Sequence, residues 1–341
     1  MKEKDIRNIA LLDKYAAIAA KDVERLFDRG NFVECICPAC GEGRQINEFD
    51  KNGFKYVSCP VCGTLYASPR PTQEQLDNFY SKSESNDFFA SEFLAPYTEA
   101  RRKKIFVPRA RDIAERFCNL REKTLDNNVT STGGTPSIRI GDIGAGTGIF
   151  LEELRREWSD AELVAIEPSE KMADMCKEKG FNIVNRMLED VDPKTDGGFD
   201  LLTSFELFEH LFEPRKFLLK IHSLLKTKGY IYLTTLNGKG FDIQLLWDKH
   251  DNINPPHHIN FSNPKGMKIL FEQCGFEIVS ITTPGRLDWD IVEGRMAQKG
   301  LKPGRFWETV RDADDSVKEN LQKWIRDSNL SSHICVVARK V

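Results

Sequence analysis

Apolar and polar positions along this chain follow more than one rhythm. From Ile138 onward, short apolar runs trade places with stretches that carry their apolar residues on one helical face. The runs are Ile138 to Ile143, Leu163 to Ile166, Ile183 to Val184, Phe199 to Phe205, Tyr230 to Leu236 and Phe276 to Ile281. Between them the spacing predicts helices from Gly148 to about Trp158, from Ser169 to Gly180, from about Pro214 to Leu225 and from Pro264 to Cys274. Strand and helix in strict alternation predict an α/β domain whose parallel sheet is covered on both faces. A mostly helical insert at 283–327 then precedes a last strand, His333 to Ala338.

The first part of the chain reads differently. Ile6, Ile9, Leu12, Tyr15, Val23 and Leu26 to Phe27 suit one or two amphipathic helices within residues 1–30. Residues 31–72 hold short strand-like runs, Phe54 to Ser58 and Thr64 to Ala67, between paired cysteines. Residues 73–121 read as a helical connector or lid, with Phe89, Phe93 and Tyr97 at helical spacing and a break at Pro96. Residues 122–137, polar and rich in Thr, Asn and Gly, form a linker loop before the large domain at 138–341.

Composition narrows the function classes. The 341 residues are 40% hydrophobic, enough for a substantial core, and 49 basic against 52 acidic residues leave a net charge of -3. No global charge draws such a chain to nucleic acid or to an anionic membrane, and charges interrupt every apolar stretch, so a cytoplasmic protein without membrane insertion is expected. Five of the nine cysteines crowd between Cys35 and Cys62, which points to metal instead of disulfides. Cys37-Pro-Ala-Cys40-Gly and Cys59-Pro-Val-Cys62-Gly repeat one pattern. A two-residue gap lets both thiolates of a pair reach one tetrahedral ion, and the following glycine permits the turn. Cys37, Cys40, Cys59 and Cys62 therefore predict a structural zinc ribbon, with Cys35 as a bystander. Its few basic residues, chiefly Arg44, Lys51 and Lys55, favour a folding role over nucleic-acid binding.

The stretch Ile140-Gly-Asp142-Ile-Gly144-Ala-Gly146-Thr-Gly148 follows a strand and opens a helix. Its spacing departs from the G-x-G-x-x-G dinucleotide fingerprint, and Glu167 ends the next strand, placed to accept hydrogen bonds from ribose hydroxyls. These motifs resemble those of the class I S-adenosylmethionine-dependent methyltransferases over roughly residues 138–281. The resemblance implies a Rossmann-like domain with a mostly parallel seven-stranded sheet. It also implies cofactor contacts from Asp142, Gly144, Gly146, Gly148, Glu167 and Glu206, with Leu188, Glu189 and Asp190 flanking the adenine.

After the fourth strand comes Ser204-Phe-Glu206-Leu-Phe-Glu209-His210, and a later segment holds His257 and His258. Ligands of open parallel sheets bind beyond the carboxyl ends of the strands, so Glu206, Glu209 and His210 are expected at the reacting methyl group. The E-x-x-E-H pattern with a later histidine resembles the quinone-biosynthesis O-methyltransferases and the small-RNA 2'-O-methyltransferases. In the second branch such residues hold magnesium or manganese, which would make Glu206, Glu209, His210 and either His257 or His258 metal ligands here. A metal-free alternative stands beside it: Glu206 shapes the cofactor pocket, Glu209 and His210 cap the next helix, and one of the paired histidines is the general base.

The arrangement of the C-P-x-C-G pairs, Tyr66 to Thr72, the cofactor loop and Thr283 to Asp288 resembles bacterial methyltransferases of surface polysaccharides and sugars. That implies a small-molecule or carbohydrate acceptor methylated on a hydroxyl. Arg101, Arg102, Lys103 and Lys104 then either hold phosphates of a linked sugar or form a solvated helix face. Alternatives are an RNA methyltransferase using the ribbon as an RNA module, a C- or N-methyltransferase, and a zinc-dependent scaffold without catalysis. The lack of a basic stripe interleaved with exposed aromatics argues against RNA, and Phe88, Phe89, Phe93 and Tyr97 read as lid core. The acceptor, the oligomeric state and any substrate contact from Asp288 or Asp290 are left open by the sequence.

Overall fold

The computed structural model describes residues 1–118, 120 and 138–341. The linker expected at 122–137 lies outside the described residues. Among the described residues, eleven strands form two sheets: β1 (Ile46–Lys51), β2 (Phe54–Ser58), β3 (Leu65–Ala67), β4 (Arg139–Ile143), β5 (Glu162–Ile166), β6 (Asn182–Val184), β7 (Phe199–Phe205), β8 (Leu225–Leu236), β9 (Asn260–Phe261), β10 (Phe276–Thr282) and β11 (His333–Lys340).

The large sheet has seven strands in the order β10-β11-β8-β7-β4-β5-β6. Its pairings are parallel except those of β11, which runs antiparallel between β8 and β10. This is the expected Rossmann-like sheet. Alternate side chains go to opposite faces, as strand geometry requires. Leu202, Ile231, Leu233, Ile334 and Val336 join Phe217, Ile221, Met267 and Leu270 of the helices Pro214–Leu224 and Pro264–Gln273. Leu201, Tyr232, Cys335 and Val337 join Ala110, Ile113, Leu151 and Leu154 of the helices Val107–Arg116 and Ile149–Glu157. The strand order reverses between β4 and β7, and the crevice beyond their carboxyl ends is where open α/β sheets bind ligands.

The cysteine-bearing segment makes a four-stranded sheet, β1-β2-β3-β9, whose last strand comes from the large domain. Leu65 pairs with Phe261 and Tyr66 with Asn260. Buried Arg70 reinforces the seam, donating to Asn260 Oδ1 at 3.1 Å and to the Phe212 carbonyl at 3.0 Å. The hydrophobic pattern misses β1, because its residues are half-buried or exposed and give no period-two signal.

Residues 73–116 are helical as expected, with two π-helical turns, Phe89–Leu94 and Arg102–Phe106. Phe93 is fully buried and stacks on the part-buried Phe89 at 5.1 Å, so these two rings pack within the helical segment. The 283–327 insert folds as the helices Asp288–Lys299, Arg305–Arg311 and Asp315–Asp327. It anchors the chain's first residues: Glu3 donates its backbone N–H to Asp290 Oδ2 at 2.6 Å, and its carboxylate accepts from Arg295 at 2.7 and 3.1 Å.

Candidate active site at the carboxyl ends of the strands

Asp142, the residue before the last of β4, is buried; Thr203 Oγ1 donates to it at 2.6 Å, and burial pushes its carboxyl up to about 7. Gly144, Gly146 and Gly148 all have left-handed φ angles, of 71°, 55° and 75°. A Cβ at Gly148 would also lie 2.9 Å from Cys176 Sγ, so the loop needs glycine there for space as well as conformation. Glu167 braces the loop from the next strand, accepting from Gly146 N at 2.8 Å and Ser169 N at 2.9 Å. Leu188 is buried and Glu189 and Asp190 are exposed in the short turn after β6. This set follows the carboxyl ends of β4, β5 and β6, beside the switch point of the strand order.

Glu206 is the first residue beyond β7 and is left-handed, with φ 51°. A left-handed glutamate is uncommon and turns the side chain off the strand line. Its carboxylate accepts from Thr234 Oγ1 at 2.7 Å and from His333 Nε2 at 3.1 Å, and Arg109 stands 3.6 Å away over the Phe205 ring. Burial alone would raise the Glu206 carboxyl, but the charge and hydrogen bond of His333, with Arg109, hold it well below the usual range. Burial likewise works against His333, and Glu206 outweighs it, raising the imidazole to about 9. The two side chains keep 35% and 44% of their surface open, although protein surrounds them closely enough to desolvate both charges. Both stand part-open beyond the carboxyl ends of the parallel strands.

Glu209, His210 and His258 converge, with one ligand atom of each within 4.8 Å of the others. His210 Nδ1 lies 2.7 Å from the His257 carbonyl, and His258 Nδ1 lies 2.6 Å from the Asn252 carbonyl. Only an Nδ1–H satisfies such a contact, so in the neutral ring each Nε2 keeps a lone pair. Burial holds both imidazoles below their ordinary pKa. It pushes Glu209 up to about 8, helped by the negative charge of Glu206. The Tyr80 hydroxyl approaches His210 Nδ1 at 3.2 Å from the lid.

The paired histidines separate in role. His257 is buried between Phe79 and Tyr15 with Nε2 3.1 Å from Ser85 Oγ, and Ser85 donates on to Asp22 at 2.7 Å. It ties the helical segment 73–116 to the large domain and stands outside the converging group, as does Glu206, which is engaged by His333. Of the expected four-ligand set, the geometry gathers Glu209, His210 and His258.

Elsewhere, Arg102 is spent on Glu99, Glu152 and Glu153, and Lys104 on Asp5. Asp288 accepts from Ser332 N at 2.7 Å and Ser331 Oγ at 2.9 Å, and Asp290 is taken by Glu3, so both acids serve structure. The four cysteine sulfurs also converge, with Cys37 and Cys62 3.5 Å apart and Cys40 and Cys59 3.4 Å apart. Gly41 and Gly63 donate back to the carbonyls of Cys37 and Cys59 in matching turns at 2.9 and 2.8 Å. Such spacing and donor type fit one tetrahedral ion.

Sequence reasoning missed Thr203, Arg109, Tyr80 and His333. Thr203 and His333 resemble ordinary strand residues, and Arg109 an ordinary helix-surface cation.

The family model described as "Methyltransferase domain" matches residues 97–281. The chain belongs to the methyltransferase-domain family. Among curated relatives it is similar to a ubiquinone biosynthesis O-methyltransferase of Xanthomonas euvesicatoria pv. vesicatoria, 30% identical over 105 residues, 29% of this chain and 43% of that protein. Another, from Bradyrhizobium diazoefficiens, is 27% identical over 121 residues, 34% of this chain and 46% of that protein. The matches thus span less than half the length of these relatives. Among solved structures, the plantazolicin methyltransferase BpumL in complex with SAH aligns with a TM-score of 0.46 at 15% identity, covering 79% of this chain and 98% of that one. An Archaeoglobus fulgidus SAM-dependent methyltransferase aligns with a TM-score of 0.42 at 19% identity, covering 68% and 94%.

Proposed function

We propose that the protein is an S-adenosylmethionine-dependent methyltransferase that methylates a hydroxyl of a small molecule. The observation that carries this reading is the pair of Nε2 lone pairs on His210 and His258, held beside Glu209 a few residues beyond the end of β7. Asp142, Gly144, Gly146 and Gly148 would cradle the methionine part, Glu167 would bind the ribose, Leu188 and Glu189 would flank the adenine, and Glu206 would border the methyl group. S-adenosylmethionine supplies a methyl group on a positively charged sulfur, which an oxygen nucleophile can take in line. His210 Nε2 accepts the hydroxyl proton as the new O–C bond forms, and the neutral state that burial gives this imidazole suits it to that task. The His257 carbonyl fixes the ring for the transfer. The names of the curated relatives support oxygen as the acceptor atom.

The same geometry favours a second reading. Imidazoles anchored through Nδ1–H to backbone carbonyls are the usual form of metal-bound histidine. Glu209, His210 and His258 would then hold a divalent ion, and two imidazoles with one carboxylate suit manganese or iron better than magnesium. Such an ion would lower the pKa of a bound hydroxyl. Cys37, Cys40, Cys59 and Cys62 would hold zinc separately, as a ribbon built into the large domain through β9.

The test supplies full-length protein and radiolabelled-methyl S-adenosylmethionine to fractionated extract, with and without EDTA. Label in phenolic, sugar or other small-molecule fractions supports the proposal. Label confined to RNA overturns it. The sugar expectation rests on sequence resemblance, and the carbohydrate fraction tests it. EDTA-sensitive labelling restored by manganese selects the metal reading.

A further inference from the structure

The helix Phe241–Leu246 follows β8, and Trp247, with a φ of 46°, turns the chain after it. His250 comes back against Asp242, which lies in the first turn of that helix, and both residues are buried at 1% exposure. The Asp242 carboxylate accepts twice, through Oδ1 from Ile243 N at 3.0 Å and through Oδ2 from His250 Nε2 at 3.1 Å. The other ring nitrogen of His250, Nδ1, lies 3.0 Å from Asn252 N. A backbone N–H only donates, so Nδ1 is the acceptor and the ring proton sits on Nε2, facing Asp242.

The hydrogen bonds continue to His258. Ile253 N donates to the His250 carbonyl at 3.1 Å, and Lys51 Nζ from β1 donates to the same carbonyl at 2.9 Å. His250 thus receives the N–H of Asn252 on its ring and that of Ile253 on its carbonyl. The Asn252 carbonyl between those two groups is fixed in direction, and it is the one that faces His258 Nδ1 at 2.6 Å. Beside it, Asp251 is taken by Arg295 and by Lys299 Nζ at 2.7 Å. The His258 ring is therefore aimed through its Nδ1–H, which leaves Nε2 for the group it forms with Glu209 and His210. Partners one hydrogen bond behind a working histidine set its tautomer and orientation.

We infer that Asp242 and His250 are positioning residues: through the Asn252 carbonyl they fix the Nδ1–H tautomer and the ring direction of His258. The inference rests on the reading above, in which His258 takes part at the reacting centre, and it adds the buried pair that aims this ring.

Asp242→Asn probes the pair directly, because asparagine has one oxygen for the two N–H groups that the carboxylate serves. Either Ile243 N–H or His250 Nε2–H must then face the N–H groups of the new amide. The full chain, with its histidines isotopically labelled at the ring nitrogens and saturated with S-adenosylhomocysteine, is read by NMR correlations that distinguish the two ring tautomers. Signals are assigned from His250→Asn and His258→Ala. The native protein should show His258 protonated on Nδ1 and His250 on Nε2. Asp242→Asn should move the His258 signal towards a mixture of tautomers and lower methyl transfer from radiolabelled S-adenosylmethionine to the small-molecule fraction of extract by about tenfold or more. Its affinity for S-adenosylhomocysteine should change less than about twofold. His250→Asn, whose Oδ1 can accept from Asn252 in place of Nδ1, should keep more transfer than His250→Leu, and this pair guards against a misfolded Asp242→Asn. A native His258 protonated on Nε2, or an unchanged His258 signal in Asp242→Asn, overturns the inference. So does equal transfer by His250→Asn and His250→Leu. Absence of transfer by the native chain, or unimpaired transfer by His258→Ala, removes the reading of His258 itself, and this inference with it, whatever tautomers the spectra show.

Discussion

His333 Nε2 donates to Glu206 Oε2 across 3.1 Å, tying the last strand of the sheet to the turn beyond β7. The C-terminal strand therefore contributes a side chain to the group of residues beyond β7. Its charge also decides the ionisation of Glu206.

The pair gives stability a defined pH dependence. His333 has a folded pKa raised to about 9, so its contribution is complete below the ordinary imidazole value and is lost as pH rises through about 9. Glu206 is shifted the other way, so its contribution is present above the ordinary carboxylate range and is lost only as pH falls through its depressed folded value. The melting-temperature gap between native protein and His333→Gln should be widest near pH 6 and should shrink towards pH 10. A gap independent of pH would show that no ion pair forms.

His257 and His258 should respond to substitution in opposite ways. His257 packs on Phe79 at 4.8 Å and contacts Ser85, so His257→Ala is expected to cost about 2–3 kcal/mol of stability while folded protein keeps most of its turnover. His258→Ala should fold normally and lose about 100-fold or more in kcat. Thermal melts and single-turnover rates on both variants check this. Equal kinetic damage would place His257 in the chemistry.

The cysteine lobe should be coupled to the site. Tyr56 on β2 donates its hydroxyl to the His258 carbonyl at 2.6 Å, and β3 pairs with β9 only two residues beyond His258. Tyr56→Phe should cost about 1–2 kcal/mol and lower kcat without changing cofactor affinity. Cys37→Ser should abolish zinc binding measured by elemental analysis and lower both melting temperature and folding yield. Full zinc content in Cys37→Ser would refute the ligand assignment.

Much of this architecture was legible because the inner strands of the large sheet, β4, β5 and β7 among them, are buried on both faces. Phe199–Phe205 reads directly as an apolar run, and the helices beside it carry clear apolar stripes. β1 was not legible, since Ile46 is half exposed and the strand buries no regular face. Nor was β9, two residues long and defined by a partner in distant Leu65 and Tyr66. In the site, Glu209 and His210 follow a strand end and so betray their place. The choice between His257 and His258 depends on loop rotation, and the role of His333 depends on an antiparallel pairing of β11 with β8 that brings it to Leu236. Neither leaves a periodic signal.

The central claim, that the β4 loop and Glu167 hold S-adenosylmethionine, is tested most directly by titrating S-adenosylhomocysteine calorimetrically into native protein and Glu167→Ala. One site per chain, weakened at least about tenfold in the variant, is the predicted result. Absence of binding, or equal affinity in both proteins, would contradict it.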